Sequence, residues 1–302
     1  MVTTTVPGTG ASGMAHDAEV AVLLQALPYI QRFRGAVVVV KLGGNAMTSA
    51  ELLGQFAQDI ALMHSVGIKP VVVHGGGPQI GEWLTRLGRT SEWVDGQRVT
   101  DADTLEIVQM VLIGKVNSEI VSALNVHGPV AVGLSGQDAG LIEAAARHPD
   151  LGFVGDVTSI NPEIVERVLA LDIVPVVSTV GSDSDGQAYN INADAVASAI
   201  AESLGASKLI FLTDVAGLLR DVADPTSLIQ RVDVETARAL IDDGTVSGGM
   251  IPKISGCIGA IERGVGQVHL VDGRLPHVLL LELFTDAGVG TMVTAGTAGE
   301  SS

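Results

Sequence analysis

The sequence predicts an α/β fold: a three-layer αβα sandwich around a mainly parallel central sheet, in two lobes. Three observations predict it. Runs such as Val37-Val38-Val39-Val40 and Val71-Val72-Val73 are β-branched and apolar without alternation, as in strands buried on both faces. Each run is followed by a glycine-rich turn and a capped helical pattern, so the chain opens β-α-β-α with right-handed crossovers. The 302 residues carry 47% hydrophobic but only 3% aromatic side chains, so the core must be aliphatic and large enough for two lobes.

Residues 1–14 are small and polar, without a basic or apolar leader pattern, and read as a disordered tail. From about residue 15 to 34 the pattern is helical, with Val20, Leu23, Leu24 and Leu27 on one stripe. Pro28 is expected to interrupt this helix before Tyr29, Ile30 and Phe33. Its stripe serves either the core or a second copy of the chain. The first sheet strand ends at Lys41, before Gly43 and Gly44. Thr48-Ser-Ala-Glu51 is a capping box for a helix to about Val66. Lys69–His74 is the second strand, and Gly75-Gly76-Gly77-Pro78 opens a helix to about Leu87.

Asp95-Gly96 between Trp93-Val94 and Gln97-Arg98 signals a hairpin. Thr100-Asp-Ala-Asp103 caps one long helix to about Val126. Val130–Leu134 is a strand; Leu141–Ala145 and Phe153–Ile160 form an antiparallel flap. Asn161-Pro162 caps a helix, and Ile173–Thr179 is a buried strand. The polar loop Gly181–Gly186 marks the lobe boundary, giving lobes at 35–180 and 181–302. In the second lobe Asn192 and Asp233 cap helices, and Lys208–Thr213, Gln267–Val271 and Thr291–Thr294 are strands. A further helix begins near Pro252 and Lys253, and Pro276–Phe284 is a short apolar one.

Seventeen basic against 34 acidic residues leave a net charge of −17, which disfavours nucleic acid and anionic membranes as partners. It also makes each lysine or arginine inside a glycine-rich motif informative. The single cysteine, Cys257, precludes an internal disulfide and fits a reducing, cytoplasmic location.

Lys41 beside Gly43 and Gly44 at a strand end is either an anion site or a strand-end lysine in an ordinary turn. Gly75–Gly77, after a strand and before a helix, are either a plain strand-to-helix turn or a loop whose N–H donors face a negative charge; three glycines exceed what a turn needs, which favours the anion site. Arg98 offers a fork for a carboxylate, or a solvated surface charge. Asn192 and Asp194 have local reasons at a helix start, whereas Asn190 does not and is the better ligand contact. Lys253, after Gly248-Gly249, is either a snorkelling surface lysine or, because it opposes its helix dipole, the partner of a bound anion. The histidines lack metal-ligand spacing, no protein metal site is expected, and His74 reads as a satisfied core residue. Walker A and dinucleotide fingerprints are absent, which leaves a nicotinamide oxidoreductase a remote alternative.

The stretches VVVVKLGGNAM (37–47), VVVHGGGPQI (71–80), WVDGQRVTD (93–101), LGFVGDVTSINP (151–162), YNINADAVA (189–197), FLTDVAGLL (211–219) and SGGMIPKISGC (247–257) together resemble the amino-acid kinase family. Within it they are similar to the branch that phosphorylates N-acetyl-L-glutamate. The resemblance covers about residues 15–296. Leu42, where many relatives carry tyrosine, and Gln97 depart from it without removing a charge.

The resemblance implies transfer of the ATP γ-phosphoryl group, with Mg²⁺, to a γ-carboxylate in arginine synthesis. Lys41 and Lys253 would stabilise the transferring group, with Asp194 orienting them. Gly43, Gly44 and Gly75 would donate to phosphate; Gly76, Gly77, Arg98 and Asn190 would bind the amino-acid substrate. Thr213, Asp214 and Gly217 would line the nucleotide site. Glu282 and Gly288 would belong to an arginine effector region, and the N-terminal helix to a dimer or hexamer. The alternatives are another carboxylate kinase of the same fold, or a silent amino-acid-binding regulator, which would lack one of the two lysines that are both present here.

Overall fold

A computed structural model describes residues 20, 24–47, 49–94, 96–285 and 288–296. The expected tail, part of the N-terminal helix, Thr48 and Asp95 lie outside the described residues. The strands are β1 (Val37–Leu42), β2 (Lys69–His74), β3 (Trp93–Val94), β4 (Gln97–Arg98), β5 (Ala131–Ser135), β6 (Ile142–Ala146) and β7 (Val154–Ile160). They continue as β8 (Val174–Ser178), β9 (Val180–Ser182), β10 (Ala188–Ile191), β11 (Lys208–Thr213), β12 (Arg231–Asp233), β13 (Gln267–Asp272) and β14 (Thr291–Thr294).

Eight of them form one sheet in the order β12-β14-β13-β11-β1-β2-β8-β5. Every neighbouring pair is parallel except β13 and β14. The sheet therefore runs through both predicted lobes, and β1 and β11 join them. Alternation along the central strands sends side chains to two cores. Val38, Val40, Leu42, Val72 and Leu212 pack on one side with Ile60 of the helix Ala50–Ser65 and Leu112. Val39, Val71, Val73 and Phe211 pack on the other with Val196 and Ile254, from the helices Ala193–Ser203 and Met250–Glu262.

Strands β6, β7, β9 and β10 close into a small four-stranded unit beside the sheet. The expected polar loop at 181–186 is thus the turn between β9 and β10, held by Gln187 N and Asp185 N donating to Asp183 Oδ1.

Three expectations need correction. Residues 24–33 are helical straight across Pro28. One missing N–H is tolerated because Ala26, Tyr29, Ile30 and Phe33 pack the segment onto the core. The helix from Ala102 is not uniform: Met110–Asn117 is π-helical between the α-helical segments Ala102–Gln109 and Ser118–Asn125. The cap before Ala50 is Ser49, whose Oγ accepts from Leu52 N. By length and composition alone the run Ala102–Asn125 is long and apolar enough to cross a bilayer. Here Leu105, Val108, Leu112, Ile120 and Leu124 bury it in the core.

Candidate active site

Parallel pairing aligns the carboxyl ends of the strands. Lys41 stands opposite Val73 on β2 and Phe211 on β11, Leu42 opposite His74, and Thr213 opposite Asp272. The strand order diverges to either side of β1, which is where ligands bind in open α/β sheets. Lys41 shares the strand face of Val39, so it projects toward the helix Ala193–Ser203. There Asn192 Oδ1 accepts from Asp194 N at 2.8 Å and Ala195 N at 3.2 Å, which places Asp194 in the first turn.

Asp194 meets both predicted lysines. Lys41 Nζ is 2.9 Å from Oδ1 and Lys253 Nζ 3.5 Å from Oδ2. Burial pushes the Asp194 carboxyl up, but the two ammonium groups outweigh it and hold it below its ordinary range. Asp194 and Lys253 open onto a cleft of about 1020 Å³ that Phe211, Gly249 and Gly256 also line. A Cβ on Gly43 would sit 2.4 Å from Lys41 Nζ, so glycine is what allows the lysine to fold back over its own loop. Gly44 has φ +64°, and the Asp214 carboxylate occupies the space a side chain there would need.

A second cluster adjoins the first. Arg98 is buried; its Nη2 donates to Gly77 O at 3.0 Å, its Nη1 donates to Ser91 Oγ, and its guanidinium lies 4.6 Å from the Trp93 ring. Burial lowers the Arg98 guanidinium from its usual value. Asn190 Nδ2 donates to Thr100 Oγ1 at 3.3 Å, and Thr100 Oγ1 donates to Arg98 O at 3.1 Å. Gly77, Arg98 and Asn190 are therefore joined through Thr100 and the hairpin. Gly75 differs: its N–H donates to Leu42 O at 3.1 Å, so that donor is spent and Gly76 and Gly77 carry the loop's remaining ones.

On the other side of Lys41, Thr213 and Gly217 turn into the protein. Thr213 Oγ1 lies 2.9 Å from Val215 O, and a Cβ on Gly217 would meet Thr291 Oγ1 at 2.6 Å. Asp214 is exposed beside Gly44. Arg274, which the sequence reading missed, is fixed by Asp272 through bonds of 2.8 and 2.7 Å next to this loop. A glycine-flanked arginine after a strand end was the signal.

Glu282 lies beside His269 of β13, and Gly288 lies beside the Glu282 carboxylate. Glu282 Oε2 accepts from Val289 N at 2.8 Å, and its Oε1 accepts from His269 Nδ1 at 2.6 Å. Lys208 Nζ donates to His269 Nε2 at 3.0 Å and stands 4.9 Å over the Phe33 ring of the N-terminal helix. Burial lowers Lys208 to about 8. In the sequence Lys208 and His269 look like an ordinary strand-start lysine and core histidine; only the pairing of β11 with β13 brings them together.

Residues 36–272 match the model of the amino acid kinase family. The chain belongs to that family. It is 52% identical over 280 residues to the acetylglutamate kinase of a Nostoc species, covering 92% of this chain and 94% of the other. It is 54% identical over 281 residues to the acetylglutamate kinase of a Synechococcus species, covering 93% and 99%. Among solved structures it resembles an N-acetylglutamate synthase from Neisseria gonorrhoeae complexed with coenzyme A and N-acetyl-glutamate. The TM-score is 0.81 at 26% identity, over 92% of this chain and 64% of that one. Carbamate kinase from Giardia lamblia shares the fold, with a TM-score of 0.64 at 18% identity, over 87% and 99%. The chain is thus a kinase by family, on the αβα architecture its sequence predicts.

Proposed function

We propose that the chain transfers the γ-phosphoryl group of MgATP to the γ-carboxylate of N-acetyl-L-glutamate, yielding N-acetyl-L-glutamyl 5-phosphate and ADP in arginine synthesis. The observation that carries this is the convergence of Lys41 and Lys253 on Asp194 beside two glycine loops. A carboxylate with an ordinary pKa near ~4.3 is already a nucleophile at neutral pH, so no general base is needed. One carboxylate oxygen forms the bond to Pγ while the Pγ–O bond to the β-phosphate breaks, and its electrons leave with ADP. What the protein must supply is alignment and positive charge on the equatorial oxygens.

Lys41 and Lys253 provide that charge from the two sides. Asp194 holds them apart from each other and aimed at one place. The Gly76 and Gly77 N–H groups and Arg98 hold the acceptor, while Gly43 and Gly44 leave room for phosphate close to backbone. Magnesium bound with the nucleotide would shield charge between its phosphates. A hard cation of this kind is held mainly by phosphate oxygens and water. The lysines and N–H donors that this site presents fit that arrangement, and Asp214 is the carboxylate at the loop.

The close similarity to acetylglutamate kinases supports this acceptor. The test is ADP release with N-acetylglutamate, glutamate, aspartate and carbamate in parallel. Turnover with N-acetylglutamate well above the others is expected; preference for another acceptor would move the chain to a different branch, and no turnover would favour a silent binder.

L-arginine as a feedback effector belongs to the same proposal. Lys208, His269 and Glu282 offer buried charges of both signs next to the N-terminal helix, suited to a zwitterion with a basic side chain. The Neisseria synthase has also been solved with L-arginine. Val20, Leu24 and Leu27 are exposed on the helix face opposite its packed residues. That apolar stripe supports assembly beyond a dimer, toward a hexamer. Sedimentation with and without the first 34 residues, each with and without arginine, tests both. A full-length dimer indifferent to arginine would remove this part.

A further inference from the structure

The π-helical segment Met110–Asn117 interrupts an otherwise α-helical run from Ala102 to Asn125. Its last residue, Asn117, reaches under the sheet. Asn117 Nδ2 donates to Val176 O at 2.8 Å and lies 3.0 Å from His74 Nε2. Val176 O can only accept, so the amide nitrogen faces both partners, and His74 Nε2 must also accept. The ring proton is then on Nδ1, which donates to Gly75 O at 2.9 Å. His74 is fully buried, and burial pulls it down to about 4, so it stays neutral. A Cβ on Gly133 would lie 1.9 Å from Asn117 Oδ1, so the strand opposite has glycine where the amide sits.

The consequence lies in the peptide plane. In a trans peptide the C=O of one residue and the N–H of the next point in opposite directions. Holding Gly75 O against His74, on the buried side, aims Gly76 N–H away from it. The other two carbonyls of the loop are also held: Gly76 O by Ile80 N at 2.9 Å and Gly77 O by Arg98. Leu112, also π-helical, fills the space under Gly76, 2.4 Å from where a Cβ would stand. An α-helical path from Gln109 would rotate Asn117 and Leu112 off these positions, at about 100° per residue.

We propose that His74, locked in its Nδ1–H tautomer by Asn117 from the π-helical turn, is a positioning residue that orients the Gly76 N–H donor for the acceptor carboxylate. This rests on the acceptor assignment above. It predicts a split between two substitutions of similar size. In His74→Asn the amide nitrogen can replace Nδ1 and keep the bond to Gly75 O; in His74→Gln it replaces Nε2 and loses it. We expect His74→Gln to raise KM for N-acetylglutamate about tenfold, the scale of one aligned hydrogen bond. KM for MgATP should stay within about twofold, and His74→Asn within about threefold of the unmodified chain on both. Equal effects of the two substitutions, or both KM values rising together, would overturn the proposal. The unmodified protein gives an independent check by histidine-selective ¹⁵N spectra. They should show His74 as the Nδ1–H tautomer, unchanged from about pH 5.5 to 8. An Nε2–H tautomer or a titration in that window would overturn it too. Absence of turnover with N-acetylglutamate in the unmodified chain would instead refute the acceptor assignment and leave the tautomer result standing.

Discussion

Asp194→Asn removes one charge from between two ammonium groups while keeping the side-chain shape and the first-turn backbone. At 2.9 Å and 3.5 Å each contact has a gross Coulomb energy of about 5 kcal/mol at an effective permittivity near 20. Asp194's side chain is 34% exposed, so water screens much of that. The rate effect comes through geometry: without a shared counter-ion the two ammonium groups repel and drift from the phosphoryl position. A misplacement of about 1 Å costs on the order of 100-fold in rate, or about 2.7 kcal/mol. Steady-state ADP release at saturating substrates should therefore show kcat down about 100-fold. KM for N-acetylglutamate should remain within about threefold, since the Gly75–Gly77 loop and Arg98 are untouched. A kcat within threefold of the unmodified enzyme would refute the role given to Asp194.

Further outcomes follow from the same geometry. Gly76→Ala places a methyl 2.4 Å from Leu112 Cδ2. It should cost about 1–3 kcal/mol in urea unfolding and be relieved by a second change, Leu112→Ala. Asp194's depressed carboxyl stabilises the fold above the unfolded value of 3.8 and loses that as pH falls through its lower folded value. The stability difference between the unmodified chain and Asp194→Asn should thus be flat near neutrality and shrink below about pH 4. Lys208, lowered by burial from 10.5 to about 8, makes stability rise as pH climbs between those values, by on the order of 3 kcal/mol. Lys208→Met should flatten that slope, seen as the urea midpoint against pH, and weaken the proposed arginine inhibition at least tenfold.

Much of the sheet is legible from the residues because buried parallel strands need uninterrupted apolar runs: Lys69–His74 and Lys208–Thr213 occur where expected. Caps at Asn192 and Asp233 are local chemistry and equally readable. The π-helical turn is not, because Met110–Asn117 has an ordinary apolar helical pattern and its geometry is set by packing against β2 and β8. The same holds for Pro28, where tertiary contacts override a local helix breaker. Lys41 and Asp194 are readable as candidates, but their meeting depends on β1 alternation and on where the crossover helix lands. Gly75 shows the opposite limit: its loop lies between a strand and a helix as expected, yet its N–H is consumed by Leu42 O.

Turnover of Lys41→Ala and Lys253→Ala, alone and together, tests most directly whether two lysines from opposite halves of the chain serve one phosphoryl group. Each should lower kcat with MgATP and N-acetylglutamate by at least about 100-fold. The double substitution should cost much less than the product of the two, as expected for groups acting as a unit. Either single substitution leaving kcat within about threefold, or the two losses multiplying in full, would contradict the convergence.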